Sequence, residues 1–476
     1  LALAQDMNKE QYNFHEDEEI VEAIQRYEEM LKTGEMYYFD VFQIEHIIDN
    51  YIEEGKLYPA LKVVDMGLIQ HPASFNIMIK KASILFNLGE TNTALSLIEN
   101  LLLIEDSNPD LFLMKGSAHL ALADLVNARK SFDKALKYAF DNREEAYFNI
   151  GYSYVQAGHF KKALSYFSKL LQLNERFEAV LYEMAYCYEK IGDNYKSIEY
   201  YNKYIDLDTF SDTAWFNLGI VYNKIERHRK AAVAYEYSLV INDDFPSAWF
   251  NLGNTYMLCR KFDKAIEAFE QFLKYDDSSD DICCMIGDCY IQMRNHKLAF
   301  EYYQKAITFN KQNDRAWFGS GLIMKFKNDY HAAYKYFRKA VNIDEKNSDY
   351  WFFIAKICSK LNLFNETTDA YEKVCELAPG RLSSWLKYSE LLHHKGMVIR
   401  AIHVLETGLV HHPLNAVLHY RLSAYYLESL NEKSAVKHLK KALLVDSSRH
   451  KYLFELYPEA QLNPSIVKMI SKFSNS

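Results

Sequence analysis

An all-α solenoid of stacked helix pairs is the fold class this sequence predicts, and three observations predict it. The six residues Ala214–Gly219 read AWFNLG, and Ala248–Gly253 read AWFNLG again, thirty-four residues later. All five tryptophans keep that interval: stepping onward from Trp215 lands on Trp249, Cys283, Trp317, Trp351, Trp385 and His419. A small residue holds its own register sixteen places further on, at Ala231, Ala265, Ala299, Ala333 and Ala401. A fixed period of 20 to 50 residues marks a solenoid, in which each unit buries its apolar face against its neighbours.

Each element can be justified in order. Residues 1–40 read as an N-terminal segment with a flanking helix: Ile20, Ile24, Tyr27 and Leu31 recur at helical spacing after Glu16, Asp17, Glu18 and Glu19, and Gly34 offers a stop. Twelve units fill 41–449, starting at 41, 75, 109, 144, 178, 212, 246, 280, 314, 348, 382 and 416. Only the step from 109 to 144 is thirty-five, with the extra residue placed in Ala139–Arg143.

With Trp215 as the fourth residue of its unit, position fifteen holds Gly55, Gly89, Gly158, Gly192 and Gly396, with Asn328 and Asn362 elsewhere. These residues tolerate the left-handed conformation that ends a helix, so each unit reads as two antiparallel helices joined there. Pro72, Pro379 and Pro413 sit at position thirty-two, Pro109 and Pro246 at position one, and Pro59 at the start of a second helix. No proline falls in a helix interior. Residues 450–476 read as a cap, with Asn463-Pro464 starting a final helix that carries Ile466, Val467 and Ile470.

Composition narrows the function. Acidic and basic residues are interspersed around a net charge of -9, with no basic stripe for phosphate, so nucleic acid is not an expected partner. No run of about 18 apolar residues exists to span a membrane. The seven cysteines form no CxxC pair and fall mostly inside repeat helices, which fits a reducing, cytoplasmic setting. Ala2-Leu3-Ala4 before Gln5 has the small-x-small form of a signal-peptidase site, so export is the alternative; Met7 as the natural start, with residues 1–6 a remnant, is the reading preferred.

The pattern goes beyond spacing. Position eight holds Gly219, Gly253, Gly287, Gly321 and Ala355, and position eleven holds Tyr154, Tyr188, Tyr222, Tyr256 and Tyr290. Position twenty-four holds Phe132, Phe167, Tyr201, Tyr235, Phe269, Tyr303 and Phe337. In this the chain resembles the tetratricopeptide repeat family. The resemblance implies a right-handed superhelix whose first helices line a concave groove with positions two, five, six, nine, twelve and thirteen.

Those positions nominate a site. Position five reads Phe148, Tyr182, Phe216, Phe250, Cys284, Phe318, Phe352, Leu386 and Tyr420, a ladder of large side chains broken by Cys284. It suits the enclosure of an extended chain, or else packing within each unit. Position six gives Asn149, Asn217 and Asn251, with Glu183 between; amides can pair with a peptide backbone whatever its sequence. That resembles a short asparagine ladder of the kind found in the glycosyltransferase that adds N-acetylglucosamine to proteins, broken here by Met285, Gly319 and Phe353. The expected groove residues are therefore Phe148, Asn149, Tyr182, Phe216, Asn217, Phe250, Asn251, Phe318 and Phe352.

Other sites are disfavoured. Position two offers Asp110, Glu145, Asp281 and Asp349, but Ala179, Thr213, Ser247 and Arg315 break the stripe, and acids there also suit a helix N-terminus. No three consecutive units supply the lysines and asparagines of a chaperone-tail clamp. His393, His394, His403, His411, His412 and His419 crowd one part of the chain without zinc spacing. The tryptophans are expected to pack between the helices of their own units. No phosphate loop or nucleophile elbow stands out, so neither cofactor, metal nor enzymatic activity is expected. The expected function is a non-catalytic scaffold gripping an extended segment of a partner protein. The alternatives are a regulatory or substrate-presenting subunit of an enzyme, and an assembly module of a secretion or envelope complex.

Overall fold

A computed structural model describes residues 19–474. The described residues are helical with no strand, and twelve antiparallel helix pairs follow a leading helix at 19–33. The pairs span 41–70, 75–104, 109–138, 143–173, 178–205, 212–241, 246–272, 280–309, 314–343, 348–377, 382–411 and 416–446, and are called pairs 1 to 12. The chain forms two compact units, residues 1–243 with pairs 1 to 6 and residues 244–476 with pairs 7 to 12.

One packing solution recurs in many of the pairs. The position-eight glycine of the first helix lies under the position-twenty-four ring of the second: Gly151 under Phe167, Gly219 under Tyr235, Gly253 under Phe269 and Gly321 under Phe337. A Cβ on any of these glycines would stand 2.3 to 2.6 Å from the ring. Those rings are almost wholly buried, and Ala163, Ala231, Ala265 and Ala333 at position twenty are fully buried beside them. Glycine is present because any larger residue would drive the helices apart.

The turn between the two helices is left-handed in every pair. Gly55, Gly89, Gly158, Gly192, Gly396, Asn328 and Asn362 all have positive φ, as position fifteen predicts. Ala123, Glu226, Arg260, Arg294 and Leu430 hold the same position in the other pairs with φ of 58° to 60°, although nothing in those residue types announces it.

The tryptophans pack on their own second helices: Trp215 stacks on Tyr237 at 4.6 Å and Trp317 lies 5.8 Å from Tyr336. They also do something the spacing does not reveal. Four indole N–H groups reach six residues back to a carbonyl of the preceding connection: Trp215 to Thr209, Trp317 to Lys311, Trp351 to Glu345 and Trp385 to Pro379, at 2.8 to 3.1 Å. His419 replaces tryptophan in pair 12 and keeps the bond, with Nε2 3.3 Å from the Pro413 carbonyl. That fixes the proton on Nε2 and leaves Nδ1 as an acceptor, which His438 Nδ1–H meets at 2.9 Å.

Both ends are covered. Ala23 and Tyr27 of the leading helix are buried against pair 1, where Tyr27 meets Phe39 and Tyr51 edge-on, while Leu31 of the same helix faces solvent. The acidic opening Glu16–Glu18 and Ala2-Leu3-Ala4 lie outside the described residues. After pair 12 the chain makes short helices at Lys451–Leu456 and Pro464–Ser474. Asn463 Oδ1 accepts from the Ser465 and Ile466 amides at the start of the last one, and Ile466 is fully buried while Val467 is exposed.

Candidate functional site: the first-helix face

In most of the first helices, positions three, seven and eight turn into the core, and positions five and six are left on a half-buried flank, with Cys284, Gly319, Tyr420 and Arg421 buried as exceptions. All nine expected groove residues are of intermediate exposure. They are neither free side chains in solvent nor core.

In the first unit Phe148 packs on Phe167 at 6.1 Å and Phe177 at 5.6 Å. Tyr182 lies edge-on to Tyr201 at 5.7 Å and Tyr204 at 5.4 Å. Phe216 leans on Tyr235 at 5.7 Å. Each position-five ring thus rests one face on its own second helix and presents what remains outward. Asn217 does not stand free: its Nδ2 donates to Tyr182 Oη at 2.6 Å, bridging pair 6 to pair 5. Asn149 opens onto a cleft of about 300 Å³ whose lining also includes Phe86, Asp110, Leu113, Met114, Ser117 and Tyr152, from pairs 2, 3 and 4. The Ser117 and Ser153 hydroxyls share a 2.8 Å hydrogen bond at its edge.

In the second unit Phe250 packs on Phe272 at 6.0 Å, and Asn251 Nδ2 donates to its own helix at the Ser247 carbonyl, 2.9 Å away. Cys284 is fully buried, with its thiol 3.6 Å from Asn313 Oδ1, so the ladder is interrupted there in space as well as in sequence. Phe318 joins a ring cluster with Phe337, Tyr350 and Phe353 at 4.7 to 5.4 Å. Phe352 lies under Lys356 at 4.6 Å and Arg381 at 5.0 Å. Gly319, where the asparagine register fails, has the Tyr303 ring of pair 8 against it.

Charge on this face is mostly paired across neighbouring helices. Lys224 reaches Glu189 at 2.6 Å, Arg315 bonds Asp288, and Arg381 bonds Asp349, which takes Asp349 out of any acidic stripe. Burial pushes the Glu183 carboxyl above the usual carboxylate range. Lys325 is an exception among the cations: burial and the charge of Lys356 hold its ammonium below the ordinary lysine value.

Six cysteines are buried, and burial pushes their thiols up, to about 12 at Cys187 and Cys375 and about 11 at Cys358, which suppresses the nucleophilic thiolate. Among the described residues no group of histidine, cysteine, aspartate and glutamate is arranged to hold a metal. None of their helices is long and apolar enough to cross a membrane. Sequence reasoning missed Phe86, Leu113, Met114 and Ser117 because pairs 2 and 3 drift from the motif; position five of pair 3, which is Leu113, was the available signal.

Sequence models described as tetratricopeptide repeat match residues 144–177, 179–210, 246–278, 280–313, 314–347 and 348–381. No curated protein matches the chain. Similar solved structures include a crystal structure of MamA, 25% identical, covering 34% of this chain and 95% of that one with a TM-score of 0.33. A crystal structure of YrrB, described as a TPR protein with an unusual peptide-binding site, is 19% identical and covers 40% of this chain and 97% of that one, TM-score 0.35. One of the APC/C hetero-tetramer Cut9-Hcn1 is 15% identical and covers 85% and 91%, TM-score 0.35. With its thirty-four-residue helix pairs, its glycine-under-ring packing and six repeats matched between residues 144 and 381, this chain is a tetratricopeptide repeat protein.

Proposed function

We propose that the chain is a non-catalytic scaffold whose first-helix face holds an extended segment of a partner protein. The observation that carries this reading is the cleft at Asn149. Three successive pairs contribute side chains to it, apolar ones at Phe86, Leu113 and Met114 and hydrogen-bonding ones at Asn149, Ser117 and Asp110. A mixed lining of that kind takes an apolar side chain together with the backbone on either side of it. The half-buried rings at Phe148, Tyr182, Phe216, Phe250, Phe318 and Phe352 would widen the contact, since a ring already fixed by packing loses little entropy on binding.

The test starts from co-purification with the tagged chain from native extract, followed by affinity measurements on the partner obtained. Leu113→Asp and Tyr152→Ala, shown to be folded by circular dichroism, are expected to weaken binding tenfold or more. A control pair on a second helix, Lys264→Ala with Glu267→Ala, is expected to leave it unchanged. Loss in the control with binding intact in the cleft variants would move the interface off this face and overturn the proposal. Recovery of a catalytic chain, or of a stable homo-oligomer alone, would replace it by the subunit or assembly reading.

A further inference from the structure

We infer that pairs 9 and 10 carry a carboxylate seat: the ammonium groups of Lys325 and Lys356, gathered at the Phe353 ring, receive an aspartate or glutamate side chain of the bound segment. The inference rests on the scaffold reading above and names the chemistry of part of the ligand. Lys325 is at position twelve of pair 9 and Lys356 at position nine of pair 10, so two successive helices each contribute one cation. Their Nζ atoms lie 5.1 and 5.7 Å from the centroid of Phe353, and Lys356 Nζ lies 4.6 Å from that of Phe352.

Like charges brought to one ring repel each other, and the partly buried Lys325 ammonium loses hydration although Lys356 stays exposed; both effects work against this arrangement unless an anion offsets them. Among the described residues nothing does. Arg315 is bonded to Asp288 and Arg381 to Asp349, so the nearby guanidinium groups are neutralised from within. Glu390, at position nine of pair 11, has Lys387 at 3.1 Å and Arg421 at 3.9 Å. Among the described residues neither Lys325 nor Lys356 has a carboxylate partner. The rings support the cations from below, and each ammonium keeps N–H donors for an acceptor on the open side. A carboxylate has two oxygens to meet two donors arriving from successive helices, and in an unmodified protein segment it belongs to aspartate or glutamate.

The experiment measures fluorescence anisotropy of labelled decaglutamate, decaglutamine and decalysine on the full chain at 0.05 and 0.15 M salt. A net charge of -9 means that non-specific attraction favours decalysine, so binding of decaglutamate has to be local. Wild type is expected to bind decaglutamate more tightly than decaglutamine. Lys325→Met and Lys356→Met each keep an apolar stem over the rings; each is expected to weaken decaglutamate at least threefold, and the double variant at least tenfold. Lys339→Met, exposed on the second helix of pair 9, removes the same charge and is expected to stay within twofold. Lys325→Gln repeats the test if the methionine variant melts early. Failure of wild type to prefer decaglutamate, or a double variant that binds it as wild type does, overturns the assignment. So does a peptide that binds only with phosphoserine in place of glutamate. The scaffold reading is judged separately, on Leu113 and Tyr152 in the other compact unit and with the native partner, so either can fall alone.

Discussion

Replacing Gly253 with alanine adds one methyl group where there is no room for it. An ideal Cβ would stand 2.5 Å from Phe269 Cε1, 2.6 Å from Cδ1 and 2.9 Å from Cζ, whereas carbon atoms sit comfortably about 3.5–4.0 Å apart. Phe269 is fully buried, so relief must come from moving one helix of pair 7 against the other. Overpacking of that kind costs about 1–3 kcal/mol, and the better helix propensity of alanine returns about 1 kcal/mol. The expected net loss is up to about 2 kcal/mol, larger for Gly253→Leu. Repeat arrays do not unfold as one unit, so the melting temperature is best read beside hydrogen exchange of the amides in 246–272. Gly380→Ala is the control, because a Cβ there meets nothing within 4 Å. Pairing Gly253→Ala with Phe269→Leu should cost less than the two changes added together, since the smaller side chain vacates the contested space. A Gly253→Ala protein as stable as wild type, with unchanged exchange in pair 7, would refute the glycine-under-ring account.

Three further outcomes follow from the same structure. Arg260→Gly should raise stability by about 0.5–1 kcal/mol, because arginine holds a left-handed φ of 58° there that glycine adopts without strain; a lower melting temperature would contradict it. Burial lowers the pKa of His419, and burial together with His419 lowers that of His438 to about 4. The unfolded chain therefore takes up protons near pH 6.5 that the fold refuses, so stability is full above that pH and falls toward pH 4, by up to about 3 kcal/mol for His438. His438→Gln keeps a donor for His419 without titrating, and urea midpoints at pH 7 and pH 5 should lie closer together in it than in wild type; equal spacing would refute the assignment. Finally, a thiol reagent applied to the native protein should modify Cys259 first and the six buried cysteines only on unfolding, which mass spectrometry of the labelled peptides would check.

The parts of the fold legible in sequence were those where each unit meets the same local demand. A ring at position twenty-four needs a small residue, most often glycine, opposite it, and a left-handed turn prefers glycine or asparagine, so both recur in register. Ala123, Glu226, Arg260, Arg294 and Leu430 escape such a reading because their turn is imposed by the helices on either side rather than by the residue. His419 reads as drift from the motif until its Nε2 is seen making the bond of the missing indole. At the candidate site, spacing gave the positions but not the partners. Asn217 and Asn251 share a register, yet one amide is tied to Tyr182 and the other to the Ser247 carbonyl. Lys325 and Lys356 occupy different register positions in neighbouring units, so a column-by-column reading never sets them side by side.

Within each compact unit, helices make their substantial contacts with those one or two places away in the chain. That has a consequence for how the protein is made. A ribosome adding about 5–20 residues per second takes about 2–7 s to supply one thirty-four-residue unit, whereas helical proteins rich in local contacts fold in about microseconds to milliseconds. Each pair therefore has its whole set of partners within one unit of leaving the exit tunnel, and completes its core while the next is still being translated. Chains stalled after successive first helices should accordingly show protease resistance that advances in steps of one pair, and a stalled chain that stays uniformly sensitive until release would rule this order of assembly out.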